Sequence, residues 1–185
     1  MGDVAMTVPV LAAFSKAHPT IRITVLTKKQ FAPLFRDLQM VTVLLVDFTT
    51  THKGVYGLYK LSKQIRNTSV DAVADLHNVL RTKILRVFLL GLNFVQMDKG
   101  RSEKKALISG NLRAPLRTTP QRYTDVFRRL GFDFDIDNPL FPAAKQLDAT
   151  VTREIGELSK SIIGIAPFAA YAPKTYPLSK MENVI

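Results

Sequence analysis

The sequence predicts an α/β fold built on a doubly wound parallel sheet, and three observations predict it. Short runs of β-branched and aliphatic residues alternate with longer stretches whose apolar residues recur at helical spacing. Those short runs are apolar nearly throughout, as strands covered on both faces are. The chain has 185 residues, 46% hydrophobic and 22% charged, which suits one domain with a substantial core, or one domain plus part of a second.

The elements follow in order. Residues 4–14 read as an apolar helical segment. Pro9 would remove a hydrogen bond from the second turn if that helix began right after Asp3, so it either starts nearer Thr7 or kinks. Pro19 helps to close it, and the β-branched run 21–26 is the first strand in the chain. Runs 41–46 and 70–76 are similar, and 93–97 is a weaker one. Val55, Leu58, Leu61 and Ile65 recur at helical spacing and predict an amphipathic helix over 54–66. A second helix spans 80–90 and is ended by Gly91. The clearest helix is 120–130, with Thr119 as cap and Pro120 at its first position. Its apolar stripe is Tyr123, Val126, Phe127 and Leu130, and Arg128 and Arg129 occupy the last turn before Gly131.

Beyond Gly131 the pattern changes. Asp133, Asp135 and Asp137 alternate with apolar residues, and Asn138-Pro139 and Phe141-Pro142 then interrupt the chain. The expected organisation is a first domain over 1–137, a linker over 138–148, and the beginning of a second domain over 149–185. The second part should hold a polar helix near 149–160, a strand over 162–166 and a helix starting near Ser179. A doubly wound domain normally opens with a strand that delivers a glycine-containing turn. Here the turn at Gly2-Asp3 is present and that first strand is lacking.

Net charge is +11. Such a surface attracts polyanions, whether nucleic acid, anionic lipid headgroups or phosphorylated sugars. There is no cysteine, so disulfides and thiolate metal sites are excluded, and His18, His52 and His77 lack metal-ligand spacing. No metal or cofactor is expected. No run is long and apolar enough to span a bilayer, and no secretion signal is read at the start. A cytoplasmic protein is the expectation.

Several segments carry a family resemblance. Gly2-Asp3 followed by Thr7 and Pro9 resembles the first-turn signature of glycosyltransferase family 9, the ADP-heptose:lipopolysaccharide heptosyltransferases. Matches then continue in the family's order: Asp75-Leu76-His77-Asn78 with Arg81-Thr82, Asp98-Lys99-Gly100-Arg101 with Glu103-Lys104-Lys105, and Arg122-Tyr123. Ile163-Gly164-Ile165-Ala166-Pro167 and Lys174-Thr175-Tyr176-Pro177 complete the series. The resemblance implies the GT-B architecture, two Rossmann-like domains facing across a cleft, with acceptor on the first and nucleotide-sugar donor on the second. This chain would be the N-terminal half, lacking the first strand, plus the opening of the donor domain.

The resemblance also implies chemistry. Inverting glycosyl transfer needs a base for the acceptor hydroxyl and positive charge for the departing diphosphate. Asp3 matches the family's catalytic carboxylate; an N-cap aspartate is the plainer reading. Lys174 matches a lysine that neutralises donor phosphate, against the plainer reading of a solvated loop lysine. In the same loop Ala169 and Ala170 stand where heptosyltransferases carry hydroxyl residues. Arg81, Lys83, Lys99, Arg101, Lys104 and Lys105 lie near predicted strand ends, where open sheets bind ligands, and suit a phosphorylated acceptor. His77 is an acceptor contact or a structural histidine. Lys53, Lys60, Lys63 and Arg66 read as the wet face of their helix rather than a lipid contact.

The implied donor is ADP-heptose, and the implied acceptor is the phosphorylated, lipid-linked core of lipopolysaccharide at the inner face of the cytoplasmic membrane. The chain alone is expected to be inactive. An inactive remnant that binds acceptor is the alternative, and a basic nucleic-acid-binding protein is a weaker one, since no reading motif accompanies the charge. An unpaired sheet interior would invite homo-oligomers.

Overall fold

The computed structural model describes residues 1–136, 146–156, 163–169 and 171–184. The chain divides into two units, Met1–Pro142 and Ala143–Ile185.

The first unit opens with a single helical turn, α1 (Gly2–Ala5), which gives way at Met6 to α2 (Thr7–Ala17). The Thr7 hydroxyl donates to the Val4 carbonyl at 2.7 Å across the break. Starting at Thr7 puts Pro9 in the first turn of α2, where its missing N–H leaves no intrahelical bond unmade. Of the two readings that Pro9 left open, the start at Thr7 is the one formed, with the residues before it in a separate turn.

Next come β1 (Ile23–Lys28), a 3-10 segment over Lys29–Phe35, and β2 (Val41–Val46). Then α3 (Gly54–Asn67), β3 (Ala72–Asp75), α4 (Leu80–Phe88) and β4 (Asn93–Gln96) follow in strict alternation. The unit's last helices are α5 (Arg101–Ile108) and α6 (Thr119–Arg129). Neither α5 nor the 3-10 segment was expected from the sequence. The cap of α6 is Thr118 rather than Thr119: its hydroxyl accepts the Gln121 N–H while the Gln121 side chain accepts the Thr118 N–H.

The strands are all paired in parallel, β1 with β2 and β3 with β4, in two separate two-stranded sheets. Side-chain alternation puts both pairs in one layer. Val25, Val43, Ala74 and Val95 pack into the same cluster as Val10, Leu11 and Phe14 of α2 and Tyr123, Val126 and Phe127 of α6. Leu26, Leu44, Val73 and Phe94 turn to the opposite cluster, with Leu58, Leu61 and Ile65 of α3 and Leu85 and Leu89 of α4. The result is a three-layer α/β/α unit whose central layer is split. Coverage of the strands is less complete than their apolar sequences predict: Ile23, Val25 and Leu26 of β1 and Val73 of β3 are half-buried. On the first face an aromatic cluster closes the core, with Phe14 against Phe127 at 4.7 Å and against Phe134 at 5.4 Å between ring centroids.

In the second unit, α7 (Ala149–Ile155) is capped by Asp148, whose carboxylate accepts the N–H groups of Thr150 and Val151. A 3-10 turn over Ala172–Lys174 and a short α8 (Leu178–Met181) complete its described elements. The strand expected over 162–166 is not formed in its described part, 163–166. Among the described residues of this unit there is no second strand to receive its backbone bonds, and a strand without a ladder partner has no means of satisfying them. Most of the expected linker, 138–145, lies outside the described residues.

Candidate functional site

At the carboxyl ends of β2, β3 and β4 stands an aspartate that organises the turn there. After β2, Asp47 accepts from the Thr49 and Thr50 side chains and backbone. The Thr49 hydroxyl first, then that of Thr50, hold its carboxyl well below the usual carboxylate range. His52 closes this loop: its Nδ1 accepts the Asp47 N–H at 3.1 Å, so its Nε2 carries the proton donated to Gln64 Oε1. Gly57 makes room for this loop on α3, because a Cβ there would run into the His52 backbone.

After β3, the buried Asp75 accepts the N–H groups of His77 and Asn78 at 3.0 and 2.8 Å and the Gln96 amide at 3.0 Å. Asn78 adopts φ +43°, and its amide donates to the Met97 carbonyl at 2.8 Å. The carboxyl ends of β3 and β4 are thus stitched together, and the exposed His77 is presented at the turn. After β4, Asp98 accepts the Gly100 N–H at 2.8 Å, and Gly100, at φ +59°, turns the chain into α5.

The basic residues follow from these turns. Arg81 sits in the first turn of α4, its guanidinium 4.4 Å from the Phe48 ring centroid. Lys99 is half-buried in the β4 loop, and Arg101, Lys104 and Lys105 stand exposed on α5. Because β3 and β4 are parallel neighbours, His77, Arg81, Lys99 and Arg101 all leave the same end of the layer. That end is where open α/β sheets bind ligands. Lys174 belongs to the second unit, where it is exposed with its Nζ 5.8 Å from the Tyr171 ring centroid.

Asp3 is exposed in the single turn of α1 and is not its N-cap; Met1 holds that position. The backbone of Asp3 is tied to α6, where the buried Tyr123 hydroxyl donates to its carbonyl at 3.2 Å. Burial, and then the Asp3 charge, push the Tyr123 phenol up to about 12.

One role was not legible in the sequence, although Arg122 falls in a motif of the resemblance. Arg122 is buried in α6, and its guanidinium donates to Glu103 Oε2 at 2.6 Å and to the Asp98 carbonyl at 3.4 Å. It lies so close over Gly100 that a Cβ there would collide with the guanidinium. Arg122 therefore clamps the β4 turn to α5 and stands in the wall of a cleft of about 470 Å³, with Asp98, Glu103, Arg117 and Asp125. A signal was available: Arg122 precedes Val126 by four residues and so shares the buried stripe of its helix, where a charge requires a partner.

Among solved structures, the chain is similar to the crystal structure of a glycosyl transferase family 9 protein from Veillonella parvula DSM 2008. The likeness has a TM-score of 0.74 at 19% sequence identity and covers 100% of this chain. It is a likeness of fold, and this chain spans 56% of that protein's length. No family model matches the sequence. No curated protein matches it either.

Proposed function

We propose that this chain is the acceptor side of an inverting glycosyltransferase of family 9, acting on a phosphorylated, lipid-linked core sugar with ADP-heptose as donor. The observation that carries this reading is the likeness of fold to a glycosyl transferase family 9 structure along the whole chain. The collinear motifs support it, because they fall at the turns that build the carboxyl end of the layer: Asp75 to Asn78 after β3, and Asp98 to Arg101 after β4.

In this reading the Asp3 carboxylate accepts the proton of the acceptor hydroxyl as its oxygen attacks the anomeric carbon and the nucleoside diphosphate departs. Asp3 is exposed, so an acceptor can reach it, and its backbone is fixed by Tyr123. His77, Arg81, Lys99, Arg101, Lys104 and Lys105 contact the phosphorylated acceptor, with the guanidinium groups suited to paired phosphate oxygens. Lys174 takes a donor phosphate. The setting is the cytoplasmic face of a membrane that carries the acceptor.

The test has two arms. Calorimetric titration of the 185-residue chain with a phosphorylated core oligosaccharide should give binding, weakened on the order of tenfold by Lys104→Ala with Lys105→Ala. Sugar transfer, followed by product mass, should be absent with this polypeptide alone and present when a donor-binding half is joined to it. Asp3→Asn should then lower turnover by a factor of about 10³ without weakening acceptor binding. Turnover unchanged by Asp3→Asn removes the assigned base. Failure of the oligosaccharide to bind at all removes the acceptor assignment.

A further inference from the structure

The outer faces of α3 and α4 have no role in the reading above, yet they form the least ordinary surface of the first unit. The two helices cover the same side of the sheet layer and touch edge to face, Tyr59 against Phe88 at 5.7 Å between centroids. Arg66 fastens them by donating to the Phe88 and Leu90 carbonyls at 3.2 and 2.8 Å. Their buried stripes face the strands. Facing away stand Val55, Tyr56, Leu80, Val87 and Leu90, between 58% and 74% exposed. Single exposed apolar residues need no explanation, but five on two adjoining helices and the turn that follows α4 are more than a surface of this size needs, and such a concentration marks an interaction surface.

Charge identifies the partner. Residues 48–70 and 76–97 contain no aspartate or glutamate, while Lys53, Lys60, Lys63 and Arg66 lie in the first stretch and Arg81, Lys83 and Arg86 in the second. Lys60 and Lys63 fold over the rings of Tyr56 and Tyr59, with Nζ 4.8 and 4.7 Å from the centroids. Apolar side chains, tyrosine rings and lysine heads interleaved along two acid-free stretches match the headgroup region of a bilayer, where each type finds its preferred depth. A groove of about 350 Å³ between the first turns of α3 and α4, with Val55 and Leu80 at its rim, continues the apolar surface toward the carboxyl ends of the strands.

We infer that the outer face of α3 and α4 docks the protein on an anionic lipid bilayer, with Leu80, Val87, Leu90, Val55 and Tyr56 entering the headgroup region and the lysines meeting lipid phosphates. This reverses the plainer reading of the lysine stripe as a merely wetted face, and the exposed aliphatic residues are the reason. A nucleic acid would account for the charge and the tyrosines but would leave Leu80, Val87 and Leu90 without a role. The inference does not depend on the transferase reading, since a protein with no transfer activity would still dock.

The experiment is sedimentation of the 185-residue chain with vesicles of phosphatidylcholine, alone or with about one third phosphatidylglycerol. Binding is expected only to the anionic vesicles and should weaken as salt rises. Leu80→Ser with Val87→Ser and Leu90→Ser should lower partitioning on the order of tenfold or more, with circular dichroism unchanged because all three side chains are exposed. Lys60→Gln with Lys63→Gln should give a loss of about 25-fold, from roughly 1 kcal/mol per basic residue. The inference fails on equal binding to neutral vesicles, on no binding to either, or on anionic binding that the serine variant leaves intact. It also fails if a short oligonucleotide binds at least as tightly as the vesicles, or if size-exclusion shows a dimer that the serine variant dissociates.

Discussion

Tyr123 shows how a single side chain couples the start of the chain to α6. Its ring is buried in the first core cluster while its hydroxyl holds the Asp3 carbonyl. Burial of the phenol, then the nearby Asp3 charge, raise its pKa to about 12 from an ordinary 10.0. The sign follows from the neutral form being favoured in the folded protein. Below pH 10.0 both states hold the proton; between 10.0 and about 12 the unfolded chain releases it first, so stability falls as pH rises. Urea midpoints measured across that window should decline for the natural protein, and Tyr123→Phe should flatten that decline while losing about 1 kcal/mol at neutral pH with the hydrogen bond. An alkaline slope that persists unchanged in the phenylalanine variant would place the titrating group elsewhere. At this scale the sequence was partly legible. The Asp75 and Asp98 turns fall in quoted motifs, because short polar signatures after strands are local and survive in one dimension. The Arg122 clamp is not local: it joins residues 19 positions apart and makes sense only once Gly100 and Glu103 are seen beneath the guanidinium.

Among the elements, α3 depends on one glycine as well as on its apolar stripe. Gly57 lies in the first turns of α3, against the loop in which His52 is bonded to Asp47 and Gln64. Gly57→Ala would favour an isolated helix by about 1 kcal/mol. Here the added methyl meets the His52 backbone, which cannot rotate away as a side chain could. A net destabilisation of about 2 kcal/mol is expected, read as a lowered urea midpoint, with the 47–53 loop losing amide protection first. A stabilised variant would mean that the loop yields easily. The extents of α3, α4 and α6 were legible in the sequence because hydrophobic periodicity over three turns is a strong signal. The α1–α2 break at Met6 was open to two readings, and α5 passed unnoticed because it buries no side chain fully. The 163–166 run illustrates the opposite error: β-branched composition proposes a strand, but only a neighbour makes one.

For the first unit as a whole, the α/β class was readable from alternation alone, whereas the separation of the strands into two pairs is a property of assembly. Both pairs contribute to both core clusters, so helix packing rather than a continuous ladder holds the layer together. This has a consequence for exchange with solvent. In a parallel pair each strand turns alternate peptide groups to its neighbour and the remainder the other way. With one bonded neighbour apiece, β1 and β3 should show a comb of slow and fast amides along their length, while α2 and α6 above them are slow throughout beyond their first turns. Hydrogen–deuterium exchange read residue by residue should display that comb. Uniformly slow amides through β1 and β3 would mean that in solution their free edges are covered, and the sheet would then be a shared object rather than the property of one chain.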